Sequence, residues 1–350
     1  MTREEFELEI LHHLGEHRRR YPAAEQQDII KFVFQAMLGA GHLLTCREAV
    51  EDYAAQEMDR ILPDGTEPLS EMLSPAWHRF SLRAAKTKGI SPSVIAGMMF
   101  APGETMQFTR QDVLSFLTKY AVAGEKPDPD LLNQIRDESL LPSHSAVYRE
   151  KYHPAYRVIS DEWISRMEVI QKTAEGQAVA ERLMVTIDGP CASGKTTLAE
   201  KLAGVFEAAV VHTDDYVIPH GQKTPERLAN PGGNCDADRL SKEVVIPWKH
   251  GDTVLIRKYD CRNDRLLPAE KLPDSRILVL EGSYANLPMI REHADVRVFV
   301  NTPWEIRKER LIRRESPQSL RMFYDRWIPL EDRYFEAYGL PDQECIVLIE

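Results

Sequence analysis

The chain has 350 residues, which favours two domains over one, and its 43% hydrophobic and 28% charged residues are ordinary for a globular protein. A net charge of −11 argues against non-specific binding to nucleic acid or to an anionic membrane, because both need a basic surface. No apolar run reaches the length of about 18 residues that a membrane span requires, and no secretory start is visible. The five cysteines are scattered without a C-x-x-C pair, so we expect reduced thiols in a cytoplasmic protein.

The first half of the chain shows the apolar spacing of helices. Thr2 and Glu5 have the spacing of a capping box ahead of the first helical pattern. A second apolar helix is expected to end at Gly39 and Gly41, because glycine commonly follows the last helical turn. Helical patterns also cover residues 48–61, 91–100 and 110–122.

The pattern changes near residue 182, where short β-branched runs begin to alternate with helical segments. The predicted strands lie at residues 183–188, 209–214, 252–256, 276–281 and 296–301. Strands separated by helices predict β-α-β units, and therefore a mostly parallel sheet with helices on both faces. We thus predict a mainly α-helical domain over residues 1–160, a linking helix over residues 161–180 and an α/β domain over residues 181–350.

The segment from Gly189 to Thr196 reads GPCASGKT and has the pattern G-x-x-x-x-G-K-T. It follows a predicted strand and precedes an amphipathic helix, which is the context in which this pattern binds phosphate. The loop amides and the helix N-terminus would surround the phosphates, Lys195 would reach the β- and γ-phosphates, and the Thr196 hydroxyl would ligate Mg²⁺. The predicted nucleotide-binding residues are Gly189, Cys191, Ala192, Ser193, Gly194, Lys195, Thr196 and Thr197.

Two further predicted strands end in carboxylates, at the edge of a parallel sheet where ligands gather. Asp214 and Asp215 follow the second strand, and one of them could accept the proton of an attacking hydroxyl. The alternative is that both aspartates cap the next turn. Glu281 closes an apolar strand, a placement typical of a carboxylate that holds Mg²⁺, although a plain strand end would look similar.

An arginine-rich helix follows the strand at residues 296–301. Thr302 is the predicted N-cap, with Pro303 at the first helical position and Glu305 completing a capping box. Three arginines share one face and a fourth lies at its edge, in the order Arg307, Arg310, Arg314 and Arg313. Such a face could neutralise a transferring phosphoryl group, or it could be a solvated basic surface.

Residues 183–350 resemble the uridine kinase family of P-loop nucleoside kinases. The resemblance rests on ordered motifs, namely IDGPCASGKTTLA, HTDDY, NPGGNCDADRL, RKYDC and LVLEGSY, followed by the arginine-rich helix. It implies an α/β P-loop kinase domain and ATP- and Mg²⁺-dependent transfer of a γ-phosphoryl group to an alcohol. The acceptor implied first is the 5′-hydroxyl of a nucleoside.

The same resemblance implies roles for individual residues. Asp214 would be the base for the 5′-hydroxyl, and Asp236 would bind the 2′- and 3′-hydroxyls of the ribose. Glu281 would belong to the metal site. The resemblance also implies Tyr259 at the substrate and Arg307 and Arg310 at the transferring group, and we further predict Asp215 and Arg262 at the substrate and Lys195 at the transferring group.

One segment departs from the family pattern. Members that prefer pyrimidines carry an aromatic residue and a histidine after the Tyr-Asp pair, whereas this chain has Tyr259-Asp260-Cys261-Arg262. The acceptor could therefore be another nucleoside, or a smaller hydroxylated molecule as in the related phosphoribulokinase and pantothenate kinase groups. The alternative function from a different class of protein is an ATP-binding regulatory module with little turnover. The phosphate donor could be ATP or GTP. Family habit gives the expectation of a homo-oligomer.

The N-terminal segments YPAAEQQDIIKFVFQAMLGAGHLL and LPSHSAVYREKYHPAYRVI resemble an uncharacterised helical domain that precedes uridine-kinase-like domains in some bacterial proteins. This resemblance implies no activity, and a chemistry of its own in this half stays an open alternative. Three histidines, His42, His144 and His153, could converge as a metal or phosphate site. Lone histidines are more often structural or exposed, so this is a hypothesis only.

Overall fold

The computed structural model describes residues 1–40, 46–101, 103, 106–120, 127–137 and 142–349. The chain divides into two compact units, Met1–Met167 and Glu168–Glu350. All five cysteines are free thiols. Among the described helices, none is both long enough and apolar enough to cross a bilayer.

The first unit is mainly helical, as predicted, and also contains a small sheet. Its helices are α1 (Arg3–Arg20), α2 (Gln26–Leu38), α3 (Arg47–Arg60), α4 (Leu82–Thr87), α5 (Pro92–Phe100), α6 (Arg110–Tyr120), α7 (Pro129–Arg136), α8 (Ala146–Tyr152) and α9 (Glu162–Ser165). Its strands are β1 (Ser70–Ser74), β2 (Trp77–Ser81) and β3 (Tyr156–Ser160), which pair antiparallel in the order β1-β2-β3. The sequence prediction missed this sheet. All five residues of β2 are buried, including His78 and Arg79, so the alternation that marks a half-buried strand is absent.

The ends of the first two helices follow the sequence. The Thr2 hydroxyl and the Glu5 carboxylate form the predicted capping box at the start of α1. Helix α2 ends at Leu38, and Gly39 follows with φ +61°, where a Cβ would lie 2.4 Å from the ring of Trp77. Only glycine fits there, because both the conformation and the close approach exclude a side chain. Gly41 lies outside the described residues.

The second unit is a parallel α/β layer structure. Its strands are β4 (Leu183–Asp188), β5 (Ala209–His212), β6 (Leu255–Ile256), β7 (Tyr259–Asp260), β8 (Arg265–Leu266), β9 (Glu270–Lys271), β10 (Ile277–Glu281), β11 (Val296–Asn301) and β12 (Ile346–Ile349). Its helices are α10 (Met167–Val179), α11 (Lys195–Phe206), α12 (Pro225–Ala229), α13 (Ala237–Leu240), α14 (Ile246–His250), α15 (Pro288–Arg291), α16 (Trp304–Arg314), α17 (Pro317–Met322) and α18 (Ile328–Tyr338). Five strands form one parallel sheet in the order β12-β11-β4-β10-β5, which confirms the predicted fold class.

One predicted strand needs correction, and one strand was not predicted. Residues 252–256 are not a strand of the main sheet, because only Leu255–Ile256 is extended and it pairs antiparallel with Glu270–Lys271. Leu255 is 51% exposed, so its apolar run does not enter the core. The fifth parallel strand is instead Ile346–Ile349, which the sequence prediction missed. The predicted linking helix is two helices, α9 and α10, with Arg166 at the break.

The central strands place the functional loops. Every residue of β4 and of β10 is buried, and these two strands are direct neighbours in the sheet. Burial of these apolar residues is the main force that fixes the layer, because each fully buried aliphatic side chain contributes about 1.5–3 kcal/mol. The carboxyl ends of β4, β5, β10 and β11 therefore meet at one edge of the sheet.

Candidate active site

A tight loop joins β4 to α11 at the centre of this edge. Gly189 has φ +142°, and a Cβ there would lie 2.4 Å from the carbonyl oxygen of Val300 on β11. The loop can pass the neighbouring strand only because this position has no side chain. Gly194 has φ +102° at the N-cap of α11, so the loop leads directly into the N-terminus of this helix, where the first amides lack intrahelical acceptors.

The segment from Gly189 to Thr196, called the phosphate loop below, contains a buried cation and a buried hydroxyl. Lys195 is 7% exposed, and its Nζ donates a hydrogen bond to the carbonyl oxygen of Pro190 at 2.9 Å. A neutral carbonyl compensates a buried ammonium poorly, so an anion in the loop would be a better partner. The Ser193 hydroxyl is buried and has no hydrogen-bond partner among the described residues. These residues fit the phosphates of a nucleotide.

A carboxylate lies beside the loop at the end of β10. The Thr196 hydroxyl donates a hydrogen bond to Oε1 of Glu281 at 3.1 Å, and Nδ1 of His212 lies 2.5 Å from the same oxygen. The hydrogen bond that His212 donates to Glu281 raises the pKa of His212. Oε2 of Glu281 is buried and has no partner within the described structure. A buried carboxylate oxygen next to a hydroxyl fits a hard divalent cation such as Mg²⁺.

Asp214 and Asp215 lie at the end of β5, in the short 3-10 helix Thr213–Tyr216. The Asp214 side chain is exposed, yet the protein around it removes enough water to raise the pKa of the carboxyl, against the opposing effect of Lys195. Desolvation also raises the pKa of Asp215, and Nζ of Lys258 lies 4.0 Å from its carboxylate. Neither carboxylate accepts a hydrogen bond from a described residue, which disfavours a turn-capping role for these aspartates.

Asp236 lies next to this segment. An antiparallel bridge joins Val217 to Cys235, and the Asp236 N–H donates to the carbonyl oxygen of Tyr216 at 2.6 Å. The Asp236 carboxylate accepts hydrogen bonds from the N–H and the Nε of Arg239, at 3.3 and 3.2 Å. Arg239 also donates to the carbonyl oxygen of Asp215 at 3.1 Å. This arginine therefore ties Asp215 and Asp236 together.

Tyr259 and Arg262 lie on the β7–β8 hairpin. The Tyr259 hydroxyl donates to the Asp264 carboxylate and accepts from the N–H of His220 at 3.2 Å. Burial, followed by the bond to Asp264, raises the pKa of Tyr259 to about 12. Arg262 is exposed in the hairpin turn. Tyr259 therefore lies next to His220, whereas Arg262 lies at the surface.

Two of the four arginines on α16 reach the phosphate loop. Nη1 of Arg307 donates to the carbonyl oxygen of Cys191 at 3.4 Å, and Nη1 of Arg310 donates to that of Ala192 at 3.2 Å. Arg314 instead donates to Glu315 at 2.7 Å. Arg307 and Arg310 on the basic face therefore contact the phosphate loop, whereas Arg314, one turn later, pairs with Glu315.

The predicted start of α16 was wrong by one residue. Pro303 is the N-cap, and the first helical residue is Trp304. The Thr302 hydroxyl does not cap the helix but donates to the carbonyl oxygen of Ser193 at 2.7 Å. A hydroxyl that satisfies a buried loop carbonyl outweighs a cap that solvent could replace. Thr302 therefore anchors the phosphate loop to the start of the arginine helix.

Sequence reasoning missed a second carboxylate behind the loop. Glu331 on α18 is 7% exposed, accepts from the N–H of Cys191 at 2.8 Å and accepts from the Ser283 hydroxyl at 2.5 Å. Deeper still, the buried Asp188 accepts from the Tyr334 hydroxyl at 2.7 Å. No local pattern marks these contacts, because they join α18 to residues 48, 140 and 146 positions away. His212 could have been predicted as a site residue from the sequence, since it lies two residues before Asp214 at the same strand end.

The histidine hypothesis for the first unit gains no support. His42 lies outside the described residues. Both ring nitrogens of His144 are hydrogen-bonded, Nδ1 to Asp28 at 2.8 Å and Nε2 to the Tyr156 hydroxyl at 2.6 Å. His153 ends α8 in a left-handed conformation, and its carbonyl oxygen accepts from Arg83 at 2.7 Å. Within the described ranges, the group of three side chains close enough to share an ion is His12, His13 and Glu16 on α1, of which His12 and Glu16 are exposed and His13 is half-buried.

Comparison with known proteins identifies part of the second unit. Residues 232–319 match the phosphoribulokinase / uridine kinase family. The resemblance predicted from the motifs is thereby confirmed for this region. The match begins after the phosphate loop and includes Asp236, Glu281 and the arginine helix.

Individual proteins show the same likeness at low identity. The chain is 25% identical over 142 residues to uridine-cytidine kinase C of Dictyostelium discoideum, covering 39% of this chain and 30% of that protein. It is 26% identical over 160 residues to uridine kinase of Ligilactobacillus salivarius, covering 41% of this chain and 73% of that one. A solved structure described as a possible uridine kinase from Bacillus stearothermophilus is 22% identical, with a TM-score of 0.42, over 53% of this chain and 99% of that one. The chain spans less than a third of the length of the Dictyostelium protein.

Proposed function

We propose that the second unit is an ATP- and Mg²⁺-dependent phosphotransferase with an alcohol as acceptor, and that the leading acceptor is the 5′-hydroxyl of a nucleoside. The observation that carries the proposal is the position of Asp214. Its carboxyl has a raised pKa and lies close enough to Lys195 for the ammonium to oppose that rise. Phosphoryl transfer to a hydroxyl needs a cation that binds phosphate and a base with a raised pKa. Lys195 and Asp214 would supply these at the same edge of the sheet.

The phosphate loop would hold the donor. The amides of residues 194–197 at the start of α11 and the Lys195 ammonium would bind the β- and γ-phosphates, replacing the bond between Lys195 and Pro190. Thr196 and Glu281 would hold Mg²⁺, which when bound neutralises phosphate charge and orients the γ-phosphate. Arg307 and Arg310 would turn from the loop carbonyls toward the transferring group.

Asp214 would act on the acceptor. The acceptor hydroxyl gives its proton to the Asp214 carboxylate while its oxygen forms a bond to the γ-phosphorus. The bond from that phosphorus to the bridging oxygen breaks, and the electron pair leaves with ADP. A raised pKa makes the carboxylate a stronger base than an ordinary aspartate, and desolvation supplies that rise.

The acceptor pocket would be built from Asp215, Asp236, Tyr259 and Arg262. Carboxylates suit a sugar diol, because each can accept two O–H bonds. The absent aromatic-histidine pair leaves another nucleoside or a smaller hydroxylated metabolite as further acceptors. Cytoplasmic location and a homo-oligomeric state stay predictions.

An acceptor screen tests the proposal. The full chain is incubated with Mg²⁺ and either ATP or GTP, together with a panel of nucleosides and small hydroxylated metabolites, and release of the nucleoside diphosphate is followed. We expect release that depends on one acceptor class and disappears in Lys195→Met. Tight ATP binding without acceptor-dependent release would instead favour an ATP-binding regulatory module with the helical unit as effector.

A further inference from the structure

A second cleft opens within the first unit, between the last turn of α1, the sheet β1-β2-β3 and α8. The space between its walls that water-sized groups can occupy is about 50 Å³ and is partly open to solvent, and a single water needs about 10–15 Å³ of such space. The charged residues of the wall are three arginines and two glutamates, namely Arg20, Arg79, Arg83, Glu67 and Glu71. The wall therefore carries one positive charge in excess.

Arg79 is the buried cation of this cleft. It is 3% exposed, and its Nε and Nη2 donate to Oε1 of Gln35 at 3.1 and 2.9 Å. Its guanidinium lies over the rings of Tyr156 and Phe32, with centroids at 4.7 and 5.3 Å. Packing and hydrogen bonds thus hold this guanidinium in one orientation before any ligand arrives, which lowers the cost of binding.

The Nη1 group of Arg79 has no good acceptor. Its nearest carboxylate oxygen, on Glu71, is 3.6 Å away, beyond hydrogen-bond distance. Nδ1 of His17 is 3.4 Å away, but it also lies 2.8 Å from Glu71. An ionised carboxylate can only accept, so Nδ1 carries the proton and cannot accept from Arg79. A buried guanidinium with an unused N–H favours an anionic partner.

Tyr148 supplies a second unused donor. It lines the cleft and is 2% exposed, yet its hydroxyl has no hydrogen-bond partner in the described part of the chain. Its ring is fixed by stacking on His144, with centroids 4.2 Å apart and planes within 2°. The hydroxyl is not sealed off from solvent, so water or a ligand in the cleft can accept its hydrogen bond.

We propose that this cleft binds the oxyanion of a small metabolite, a phosphate ester or a carboxylate, between Arg79 and Tyr148. Both groups are donors, and the wall has excess positive charge, so the site selects an acceptor-rich anion. A cationic ligand is disfavoured by the arginines. The tyrosine rings also pack against each other, with the Tyr148 and Tyr152 centroids 4.9 Å apart, and leave no cage for an ammonium group.

Hydrogen exchange of the full chain tests this proposal and separates it from the phosphate loop. Exchange is measured in phosphate-free buffer with added inorganic phosphate or acetate at millimolar concentration. Peptides that cover β2 and α8 report the cleft, and peptides that cover residues 189–196 report the loop. We expect protection of β2 and α8 with at least one of the two anions. Protection by phosphate alone identifies a phosphate ester, and protection by acetate alone identifies a carboxylate.

Tyr148→Phe provides the matched variant, because it keeps the ring and removes a hydroxyl that has no partner. We expect an unchanged unfolding temperature and an anion affinity at the cleft that falls at least about tenfold, the loss of one hydrogen bond to a charged group. Tyr53→Phe on the exposed face of α3 is the control and should bind like the wild type. The proposal is overturned if neither anion protects β2 and α8, or if Tyr148→Phe retains wild-type affinity.

Discussion

The Thr196 hydroxyl donates a hydrogen bond to Oε1 of Glu281 at 3.1 Å, although 85 positions separate the two residues in the chain. Sheet topology produces this contact. Strand β10 pairs directly with β4, and Glu281 is in register with Ile187, just before the phosphate loop. The first turn of α11 and the end of β10 are therefore brought together at the place where a divalent cation would bind.

Glu281→Gln is expected to weaken the contribution of Mg²⁺ to nucleotide affinity by about tenfold or more, because loss of one carboxylate charge typically costs that much at a metal site. The measurement is nucleotide binding with Mg²⁺ and with a chelator. The variant and the wild type should bind alike once Mg²⁺ is removed. Glu270→Gln, an exposed glutamate of β9, is the matched control. Unaltered Mg²⁺ dependence in Glu281→Gln would exclude Glu281 from the metal site.

The divided arginine face predicts different outcomes along α16. Arg307→Ala and Arg310→Ala should each lower kcat by about a hundredfold, because each removes a donor that would meet the transferring phosphoryl group. Arg314→Ala should leave kcat within about threefold of the wild type, since this side chain binds Glu315 instead. Steady-state kinetics at saturating ATP measures all three. Equal losses in all three variants would mean that the whole face acts only through general charge.

Glu331→Gln should loosen the phosphate loop, because the amide has one acceptor oxygen where the carboxylate serves both Cys191 and Ser283. We expect the exchange of the Cys191 amide proton to accelerate by an amount that corresponds to about 1–3 kcal/mol, the cost of an unsatisfied buried group. Asp332→Asn, an exposed neighbour on α18, is the control. A Cys191 amide that exchanges at the wild-type rate in Glu331→Gln would show that the carboxylate does not support the loop.

Acid should destabilise the first unit through His144. Desolvation lowers the pKa of His144 to about 4 from 6.5, against the hydrogen bond with Asp28. The folded state thus binds its proton more weakly than the unfolded state, so this contribution is present above pH 6.5 and is lost as the pH falls toward 4. Denaturant unfolding at about pH 7 and about pH 5 should show a smaller acid loss in His144→Gln than in the wild type.

His12→Gln is the control for that experiment, because His12 is an exposed histidine on α1. It should keep the acid sensitivity of the wild type. If His144→Gln loses as much stability on acidification as the wild type, the neutral buried state of His144 is not the cause.

The parts of the site that the sequence predicted are local ones. Gly189, Lys195 and Thr196 lie within one strand–loop–helix segment, so their spacing alone defines the loop and its geometry. Asp214 and Glu281 each end a strand, and the rule that parallel strands share one functional edge was enough to bring them together. Four of the five parallel strands followed from the same alternation of strands and helices, whereas β12 was missed.

The parts that the sequence could not supply depend on contacts made late in the chain or on buried polar groups. Glu331 and Cys191 are 140 positions apart in the sequence, and no pattern in the residues of α18 predicts the hydrogen bond between them. The sheet of the first unit was hidden because His78 and Arg79 are buried in β2 and read as polar surface. Thr302 was assigned to a helix cap because a capping motif cannot show that a loop carbonyl competes for the hydroxyl.

The most direct measurement compares acceptor-dependent ADP release by the wild type and by Asp214→Asn, with ATP affinity determined in parallel. Loss of a general base costs about 10²–10⁴ in rate, so we predict that kcat falls in this range while ATP binds as before. The raised pKa of Asp214 also predicts that the acid limb of the wild-type rate lies at higher pH than an ordinary aspartate would give. Asp214→Asn with a kcat within about tenfold of the wild type would contradict the account, because the alcohol would then react without this carboxylate.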